Sequence, residues 1–326
     1  MAEFLRVNGF DEVEEEWQQL LPFCTAPSVF LTPGWQRSWW QRLGTESELL
    51  LLRLTDDDRT MGIAPLAQRD GELSFIGDTD LFDYHDFLVS RESETLFYPA
   101  LLDYLGQEQW RTLRFTSLPE GSPTLDHLPA LARERGYQVA IELEDVVPGL
   151  PLPLSWDDYL ARLSKKGRHE LRRKLRRLES AGEHRCSDVS HSTSFDADLD
   201  DFFRMLRESR AEKHKFLTPQ RQQFFETIAR ELARQGVLRL FFLELDGQRV
   251  ATTMCFDYGM TRALYNSGFD PAYRHLSAGL LLKALCLKDA IERGMTYFDF
   301  LRGDERYKYD LGGKDRSLYR LVVQRC

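Results

Sequence analysis

The chain has 326 residues, of which 42% are hydrophobic and 29% are charged, a composition typical of folded globular proteins that excludes a disordered chain. This length suits two domains of ~150 residues each. The net charge of −9 argues against a surface that binds DNA or anionic membranes as a whole, although it allows a local basic site.

The first half, residues 1–150, is predicted to be an α/β domain. The segment through Gly44 has a mainly helical pattern, and Pro33 suits the first turn of a helix. Asp70-Gly71 is a strong hairpin signal between the second and third of three predicted strands. These strands are 49–54, 61–67 and 72–76. A helix, a strand, a second helix and a further strand complete the half, at 96–105, 111–116, 125–135 and 137–143.

The second half, residues 151–326, follows a segment with three prolines and one glycine, Val147–Pro153, which predicts a connector. Ser155 and Asp158 predict the start of one long helix that continues to about Ser180. Further helices are predicted at 199–206, 225–232 and 280–292. Strands are predicted at 237–245, 250–257, 262–268, 297–301 and 318–323. The order of elements repeats that of the first half, which favours a duplicated domain over two halves that are alike by chance.

The cysteines and the N-terminal segment predict a reduced, cytoplasmic protein. Five cysteines form no Cys-x-x-Cys motif, so we interpret them as reduced thiols. The first 17 residues are acidic and have no apolar run, and no segment approaches the ~20 apolar residues of a membrane span. The histidines have no metal-ligand spacing, so no metal is expected.

The most specific local signal is a turn of small residues between a predicted strand and a predicted helix. A helix start of this kind exposes backbone N–H groups at the positive end of the helix dipole, where a pyrophosphate binds well. Gly279 permits close approach of the backbone, Ser277 is able to cap the helix, and Arg274 adds a positive charge. The alternative is that this turn is an ordinary helix cap that binds no ligand. The predicted anion-binding residues are Arg274, His275, Leu276, Ser277, Ala278 and Gly279.

A second group of polar residues follows the apolar strand Tyr297–Leu301. Loops at strand ends often carry catalytic side chains, and the alternative is a solvated turn with surface ion pairs. The group consists of Arg302, Asp304, Glu305, Tyr307, Lys308 and Tyr309.

The chain resembles the acetyltransferases associated with bacterial cellulose and exopolysaccharide synthesis (the CelD/BcsL type). The second half carries most of the likeness, in Lys165–Arg168 with Leu171–Leu175, Ser267–Tyr273, Ser277–Leu281 and Phe298–Tyr309; the first half adds Phe30–Trp35 and Gly62–Leu66. This family is itself similar to the Fem-type aminoacyltransferases. The resemblance implies a tandem GNAT-like fold with two mixed sheets flanked by helices.

The resemblance also implies a reaction and roles for residues. The reaction is transfer of an acetyl or other acyl group from acyl-CoA to an amine or hydroxyl of a small-molecule or sugar acceptor, with the donor in the second half and the acceptor in the first. The turn at 274–279 then matches the GNAT pyrophosphate pattern, with Ser277 in place of the first glycine. Asp304 or Glu305 is the expected base and Tyr307 or Tyr309 the expected acid, while Lys308 matches a lysine that neutralises developing charge in Fem-type enzymes.

Residues 162–177 form a strongly basic amphipathic segment with nine Lys or Arg and one Glu. A solvated helix face is one explanation. The other is an anionic partner such as the coenzyme A 3′-phosphate, a nucleotide-linked or lipid-linked sugar, or, less favoured, a tRNA. We therefore assign Arg168 and Arg172 to substrate binding.

Five further residues are assigned to substrate binding, among them Arg302 of the polar group after the strand Tyr297–Leu301. Two other functions stay open. Asp83 and His85 belong to a segment that resembles the family and could equally cap a loop locally. The remaining two candidates are Trp39, which is more typical of a core, and Tyr265. The alternatives to an acyl-CoA enzyme are a Fem-like transferase that uses aminoacyl-tRNA and a non-catalytic binding module.

Overall fold

The computed structural model describes residues 2–57 and 59–325, and the chain divides into two compact units. The first unit contains residues 1–146 together with 316–326, and the second contains residues 147–315. Each unit is built around a mixed β-sheet with its own hydrophobic core.

The first unit has four α-helices and eight strands within the described residues. Its helices are α1 (Glu14–Leu20), α2 (Pro33–Leu43), α3 (Glu94–Gln107) and α4 (Pro123–Glu134). Its strands are β1 (Glu3–Val7), β2 (Glu48–Asp56), β3 (Arg59–Arg69), β4 (Glu72–Phe75), β5 (Leu88–Val89), β6 (Thr112–Pro119), β7 (Gln138–Val146) and the last strand of the chain, β14 (Ser317–Gln324). The sheet order is β1-β2-β3-β4-β6-β14-β7, with β5 paired to β3. Only the β4–β6 pair is parallel among these pairings.

The second unit has a six-stranded sheet in the order β8-β13-β12-β11-β10-β9. Its strands are β8 (Gly149–Pro151), β9 (His184–Asp188), β10 (Leu238–Leu245), β11 (Gln248–Tyr258), β12 (Thr261–Phe269) and β13 (Tyr297–Asp299). Its helices are α5 (Trp156–Arg162), α6 (Lys165–Glu179), α7 (Phe195–Ser209), α8 (Ala211–Phe216), α9 (Pro219–Arg234), α10 (Ala278–Glu292) and α11 (Arg306–Asp310). The β12–β13 pair is parallel, so a helix joins two parallel strands in each unit: β4-α3-β6 and β12-α10-β13.

Local sequence signals explain many of these boundaries. Both Asp-Gly pairs form tight hairpin turns, and both residues of each pair have positive φ: Asp70 and Gly71 at 51° and 78°, Asp246 and Gly247 at 48° and 77°. This is the backbone that a two-residue type I′ turn requires. Helix α2 begins at Pro33, as expected for proline in a first turn. The predicted mixed α/β architecture is confirmed.

Several predicted boundaries are wrong. The helix predicted from Ser155 to about Ser180 is two helices, because Ser164 leaves the helical conformation and its Oγ accepts from Gly167 N at 3.1 Å as the cap of α6. The connector at Val147–Pro153 contains β8, which pairs with β13. Strands β1 and β9 and the short helix α8 were missed, because five or six residues give too little periodicity.

The last strand of the chain belongs to the first unit, whereas the sequence analysis placed it in the second half. Strand β14 pairs antiparallel with β6 and β7 of the first unit. Its inward side chains Leu321 and Val323 are fully buried in the core of that unit. The chain therefore returns to the first sheet after it has built the second.

No helix of the described part of the chain is both long enough and apolar enough to cross a membrane.

Candidate functional site

The small-residue turn lies at the entrance to α10, as the sequence predicted. A 3-10 turn over Pro271–Leu276 leads into Ser277, whose φ and ψ are 60° and 35°. The left-handed residue redirects the chain, so α10 starts at Ala278. Within residues 2–57 and 59–325, the N–H groups of Ala278 and Gly279 have no hydrogen-bond acceptor. We call Ser277–Gly279 the donor turn.

The side chain of Ser277 does not cap α10, contrary to the prediction. Its Oγ instead accepts a hydrogen bond from Lys174 Nζ at 2.7 Å. The left-handed backbone of Ser277 explains the difference, because an N-cap residue normally has extended dihedrals. A lysine of the basic helix α6 therefore adds positive charge to the same turn.

The other predicted anion-binding residues differ in exposure. Arg274 and His275 are exposed, and the Arg274 guanidinium lies 5.9 Å from the Phe269 ring centroid. His275 Nδ1 is 3.1 Å from Ala272 O. Leu276 is buried and anchors the turn in the core. Arg274, three residues before Ser277, and Lys174, bonded to Ser277 Oγ, thus bring positive charge to the donor turn.

The sheet beside the donor turn opens. Pairing between β12 and β13 stops at Ala263 and Asp299. On the other side of β12, Asn266 pairs with Met254 and Leu264 with Cys255, so Tyr265 is the extra residue of a β-bulge. Bulges occur often beside active sites because they redirect side chains. The residues after this bulge, Asn266 and Ser267, lie on the part of β12 that has left β13.

Lys308 fixes the loop that follows β13. Its ammonium is buried and donates to the carbonyl oxygens of Leu301, Arg302 and Gly303 at 2.9, 2.5 and 3.0 Å. Leu301 has a φ of 60°, a conformation that costs a non-glycine residue free energy and persists only where surrounding contacts impose it. The resemblance gave Lys308 a role in neutralising charge, but its contacts in the structure hold the backbone.

Glu305 forms an ion pair with Lys308, with 2.9 Å between Oε2 and Nζ. Burial favours the protonated carboxyl, but the hydrogen bond and charge of Lys308 outweigh it and lower the pKa of Glu305. About half of the Glu305 side chain is exposed. It therefore offers an ionised carboxylate to solvent at neutral pH.

The two predicted acids are in different settings. The Tyr307 ring lies 4.8 Å from Lys283 Nζ, and Lys283 Nζ donates to Gly279 O of the donor turn at 3.2 Å. The Tyr309 hydroxyl instead donates to Asp315 Oδ1 at 2.8 Å, which raises the pKa of Tyr309 to about 12. Asp304 is exposed. Contacts through Lys283 thus connect Tyr307, but not Tyr309, with the donor turn.

Sequence reasoning missed a group of cations next to the opened sheet, which we call the cationic cluster: Arg210, Lys213 and Lys283. Lys213 Nζ donates to Asn266 Oδ1 at 3.1 Å and also to Ser267 O. Lys283 is 8% exposed. The signal was available for Lys283, which interrupts the apolar run Leu280–Leu282 and Ala284–Leu287. Lys213 and Arg210 lie in a charged stretch with no visible period.

The candidates on α6 have few contacts. Arg168 reaches the carbonyl oxygens of Leu160 and Ala161 at 3.4 Å, so it ties α6 to the end of α5. Arg172 is exposed.

The other two substrate-binding candidates of the second unit are Tyr265 and Arg302. The Tyr265 ring, at the bulge, packs with its centroid 5.3 Å from that of Phe256. Arg302 is half-buried and contributes its carbonyl to Lys308.

Two first-half candidates are core residues. His85 is 2% exposed and stacks between the rings of Phe75 and Phe82, with centroids at 5.5 and 4.7 Å. Trp39 is also buried, and its Nε1 donates to Asp78 Oδ2 at 2.9 Å. Asp83 is half-buried. The burial of His85 and Trp39 gives them a packing role in place of the expected contact with an acceptor.

Residues 165–309 match the model of the acetyltransferase (GNAT) domain family. This segment includes the donor turn, the bulge, the cationic cluster and the loop held by Lys308. This segment is therefore similar to GNAT acetyltransferase domains. No curated protein sequence matches the chain.

Solved structures extend the GNAT likeness from this domain to the fold of the whole chain. The structure of FemX has a TM-score of 0.69 at 13% identity and covers 98% of this chain and 96% of its own. The L-PGS structure from Bacillus licheniformis has a TM-score of 0.57 at 12% identity, covering 95% and 91%. A tandem GNAT protein from the clavulanic acid pathway has a TM-score of 0.51 at 15% identity, covering 99% and 98%. The fold is therefore a tandem GNAT fold.

Proposed function

We propose that this protein transfers an acyl group from acyl-CoA to an amine or hydroxyl of a small-molecule acceptor. The observation that carries the proposal is the donor turn, which lies in the segment similar to GNAT domains. Two of its backbone N–H groups have no acceptor in the part of the chain that the structure describes, and Lys174 is bonded to Ser277 Oγ at 2.7 Å. Free amides at a helix start together with a lysine suit a pyrophosphate.

The residues present fit coenzyme A at this position. The N–H groups of Ala278 and Gly279 would donate to the pyrophosphate oxygens, and Lys174 and Arg274 would balance the negative charge of those oxygens. Gly279 has no Cβ between these amides and solvent, and a Cβ built there would meet nothing closer than Phe269 at 3.4 Å. We therefore assign the donor role to the second unit.

We assign to the side chains of this protein the proton transfers that accompany direct transfer of the acyl group from sulfur to the acceptor. Bound acyl-CoA supplies a thioester carbonyl, at which an acceptor N–C or O–C bond forms as the C–S bond breaks. Glu305, ionised and half exposed, accepts the proton from the acceptor. Tyr307 donates a proton to the departing sulfur. Lys308 acts as a positioning residue, because it holds the loop on which Glu305 and Tyr307 stand.

The acceptor and the cellular setting come from the sequence resemblance. The similarity to cellulose-associated acetyltransferases supports an acceptor from polysaccharide or envelope synthesis. A cytoplasmic setting fits a coenzyme A thioester as donor, and Cys24, Cys186, Cys255 and Cys286 are free thiols. We no longer assign Trp39 or His85 to the acceptor.

A thermal-shift titration with acetyl-CoA tests the donor assignment. A ligand at 100 times its dissociation constant adds about 2.7 kcal/mol of apparent stability, so the parent should melt at a higher temperature. Gly279→Asp should abolish the shift by placing a negative charge among the amides, yet fold normally, since an acidic residue in a first helical turn is favourable.

Gly279→Ala is the matched control. Its methyl group meets Phe269 at an ordinary contact distance of 3.4 Å and brings no charge, so it should retain most of the shift. A parent protein that shows no shift at millimolar acetyl-CoA would contradict the assignment.

A second donor, aminoacyl-tRNA, is favoured by one observation. Helix α6 exposes Arg172, Arg173, Arg176 and Arg177 to solvent, and an exposed basic helix suits a phosphate backbone. Binding of bulk tRNA that weakens steeply with salt, in a protein that does not bind acetyl-CoA, would select this donor.

A further inference from the structure

The cationic cluster brings three cations close enough to act on one another electrostatically. Arg210 and Lys283 both act electrostatically on Lys213, and Arg210 acts on Lys283. Glu305 is the carboxylate that acts on both lysines, and it already forms an ion pair with Lys308 at 2.9 Å. Lys283 is buried and Lys213 is partly buried, and like charges repel more strongly where water screens them less.

Lys213 and Lys283 have more N–H donors than acceptors among the described residues. An ammonium has three N–H donors. Among the described residues, Lys283 has one acceptor, Gly279 O at 3.2 Å, and Lys213 has two, Asn266 Oδ1 and Ser267 O. Lys283 is more than nine-tenths buried, so its remaining donors lack the ordinary access to bulk water. Buried donors normally have partners.

The position of the cluster separates it from the donor phosphates. Lys283 contacts the carbonyl of Gly279, and helix carbonyls point away from the N–H groups that face an anion at the helix start. Lys213 contacts β12 immediately after the bulge at Tyr265. The cluster is therefore on the inner side of the first turn of α10, next to Glu305 and Tyr307.

We infer that Lys213 and Lys283, aided by Arg210, form a subsite for a carboxylate of the acceptor, so that the acceptor is an amine or alcohol that also carries a carboxyl group. This inference rests on the proposed function, because it treats the neighbouring loop as the place of transfer. Among the described residues, three N–H donors of the two lysines lack an acceptor. Three donors match the two oxygens of a carboxylate, whereas a phosphate presents more oxygens than these donors.

The inferred subsite predicts that carboxylate binding depends on pH. Burial, with the charges of Lys283 and Arg210, lowers the pKa of Lys213 to about 7. Burial also lowers the pKa of Lys283 to about 8, with Arg210 lowering it further and Cys286, Glu305 and Cys255 acting in the opposite direction. The Tyr307 ring faces Lys283 at 4.8 Å. A bound carboxylate favours both charged forms, so binding at pH 8 should take up about one proton, and affinity should fall roughly tenfold or more between pH 6 and pH 9.

Matched pairs of ligands test the subsite. Glycine, β-alanine and 4-aminobutyrate would be compared with their carboxamides, which keep the amine and lose the charge, and with inorganic phosphate. Binding would be followed by NMR of the lysine ammonium groups and by calorimetry in buffers of different ionisation enthalpy. At least one amino acid should bind tenfold more tightly than its amide and with proton uptake. Lys213→Met and Lys283→Met should each remove that preference, while Lys215→Met, an exposed lysine of the same helix α8, should keep it.

Three results would overturn the inference. These are equal binding of acids and amides, an acid preference that survives both Lys213→Met and Lys283→Met, and cluster-dependent binding of phosphate alone. Acetyl-CoA thermal shifts on the same proteins keep the two proposals apart. The lysine variants should retain the shift of the parent. A parent without that shift but with cluster-dependent carboxylate binding would refute the donor assignment and leave the subsite standing.

Discussion

Single residues in the loop after β13 show how an ionisable group is used to hold a backbone. Lys308 places its charge among three carbonyl oxygens and one carboxylate. Leu301, at a φ of 60°, lies at the turn that these bonds close. A lysine in this position shapes the loop on which Glu305 and Tyr307 are carried, so its effect on catalysis is indirect.

Lys308→Met should therefore lower both stability and activity. Loss of the donor leaves buried carbonyls unsatisfied at about 1–3 kcal/mol each, so we expect a loss of at least about 2 kcal/mol in the free energy of unfolding, measured with urea. The pKa of Glu305 is lowered in the folded state, so the ion-pair part of the effect is present at neutral pH and is lost as the pH falls through the folded pKa.

The control for this change lies on the same short helix. Arg306 is 88% exposed and forms a 3.8 Å ion pair with Asp310, so Arg306→Gln should change the free energy of unfolding by less than about 0.5 kcal/mol. Equal stability of Lys308→Met and the parent would show that the three carbonyl bonds contribute nothing.

At the scale of elements, the basic helix α6 and the start of the helix α10 meet at the donor turn. The sequence analysis assigned the turn before α10 to the pyrophosphate of the donor. For the basic segment of α6 it left several explanations open, among them the coenzyme A 3′-phosphate, an anionic acceptor and a solvated helix face. The contact from Lys174 to Ser277 joins the basic segment to the turn. Lys174 is also 3.5 Å from Glu170 on its own helix, which orients it towards the turn.

Lys174→Gln should weaken acetyl-CoA binding about tenfold, since a charge-assisted hydrogen bond contributes about 1.5–3 kcal/mol and solvent reduces it here. Arg172→Gln removes an equal charge from an exposed position of α6 and should change the affinity by less than about twofold. Isothermal titration at two salt concentrations measures both. Parallel losses in the two variants would mean that general charge, not the contact with Ser277, sets the affinity.

Elements were predictable where local chemistry determines them. The two Asp-Gly turns, Pro33 and the helix start at Ser155 act over four residues or fewer, and their sequence signals are strong. The break at Ser164 was not predictable, because leucines continue the helical period across it. The cationic cluster was also difficult to predict, since Lys213 and Lys283 are 70 residues apart in the chain. They come together because Lys213 bonds to β12 and α10 packs against the same strand.

At the scale of the whole molecule, the last strand of the chain is part of the first sheet. Strand β14 lies between β6 and β7 and is hydrogen-bonded to both. Without it, β7 has no other partner among the described strands. The first unit is therefore complete only after the second has been synthesised, although the second unit consists of the continuous segment 147–315.

Leu321→Asp should unfold the first unit selectively. Leu321 is fully buried in the core of that unit, and a buried unpaired carboxylate there should cost more than about 4 kcal/mol. Hydrogen exchange followed by mass spectrometry should show loss of protection in β6 and β7 and retained protection in β10, β11 and β12. Arg320→Asp, one residue away on β14 and 37% exposed, should leave both sheets protected. If Leu321→Asp loses protection in both sheets at once, the two units unfold as one cooperative body. If this variant still binds acetyl-CoA, the second unit holds the donor by itself.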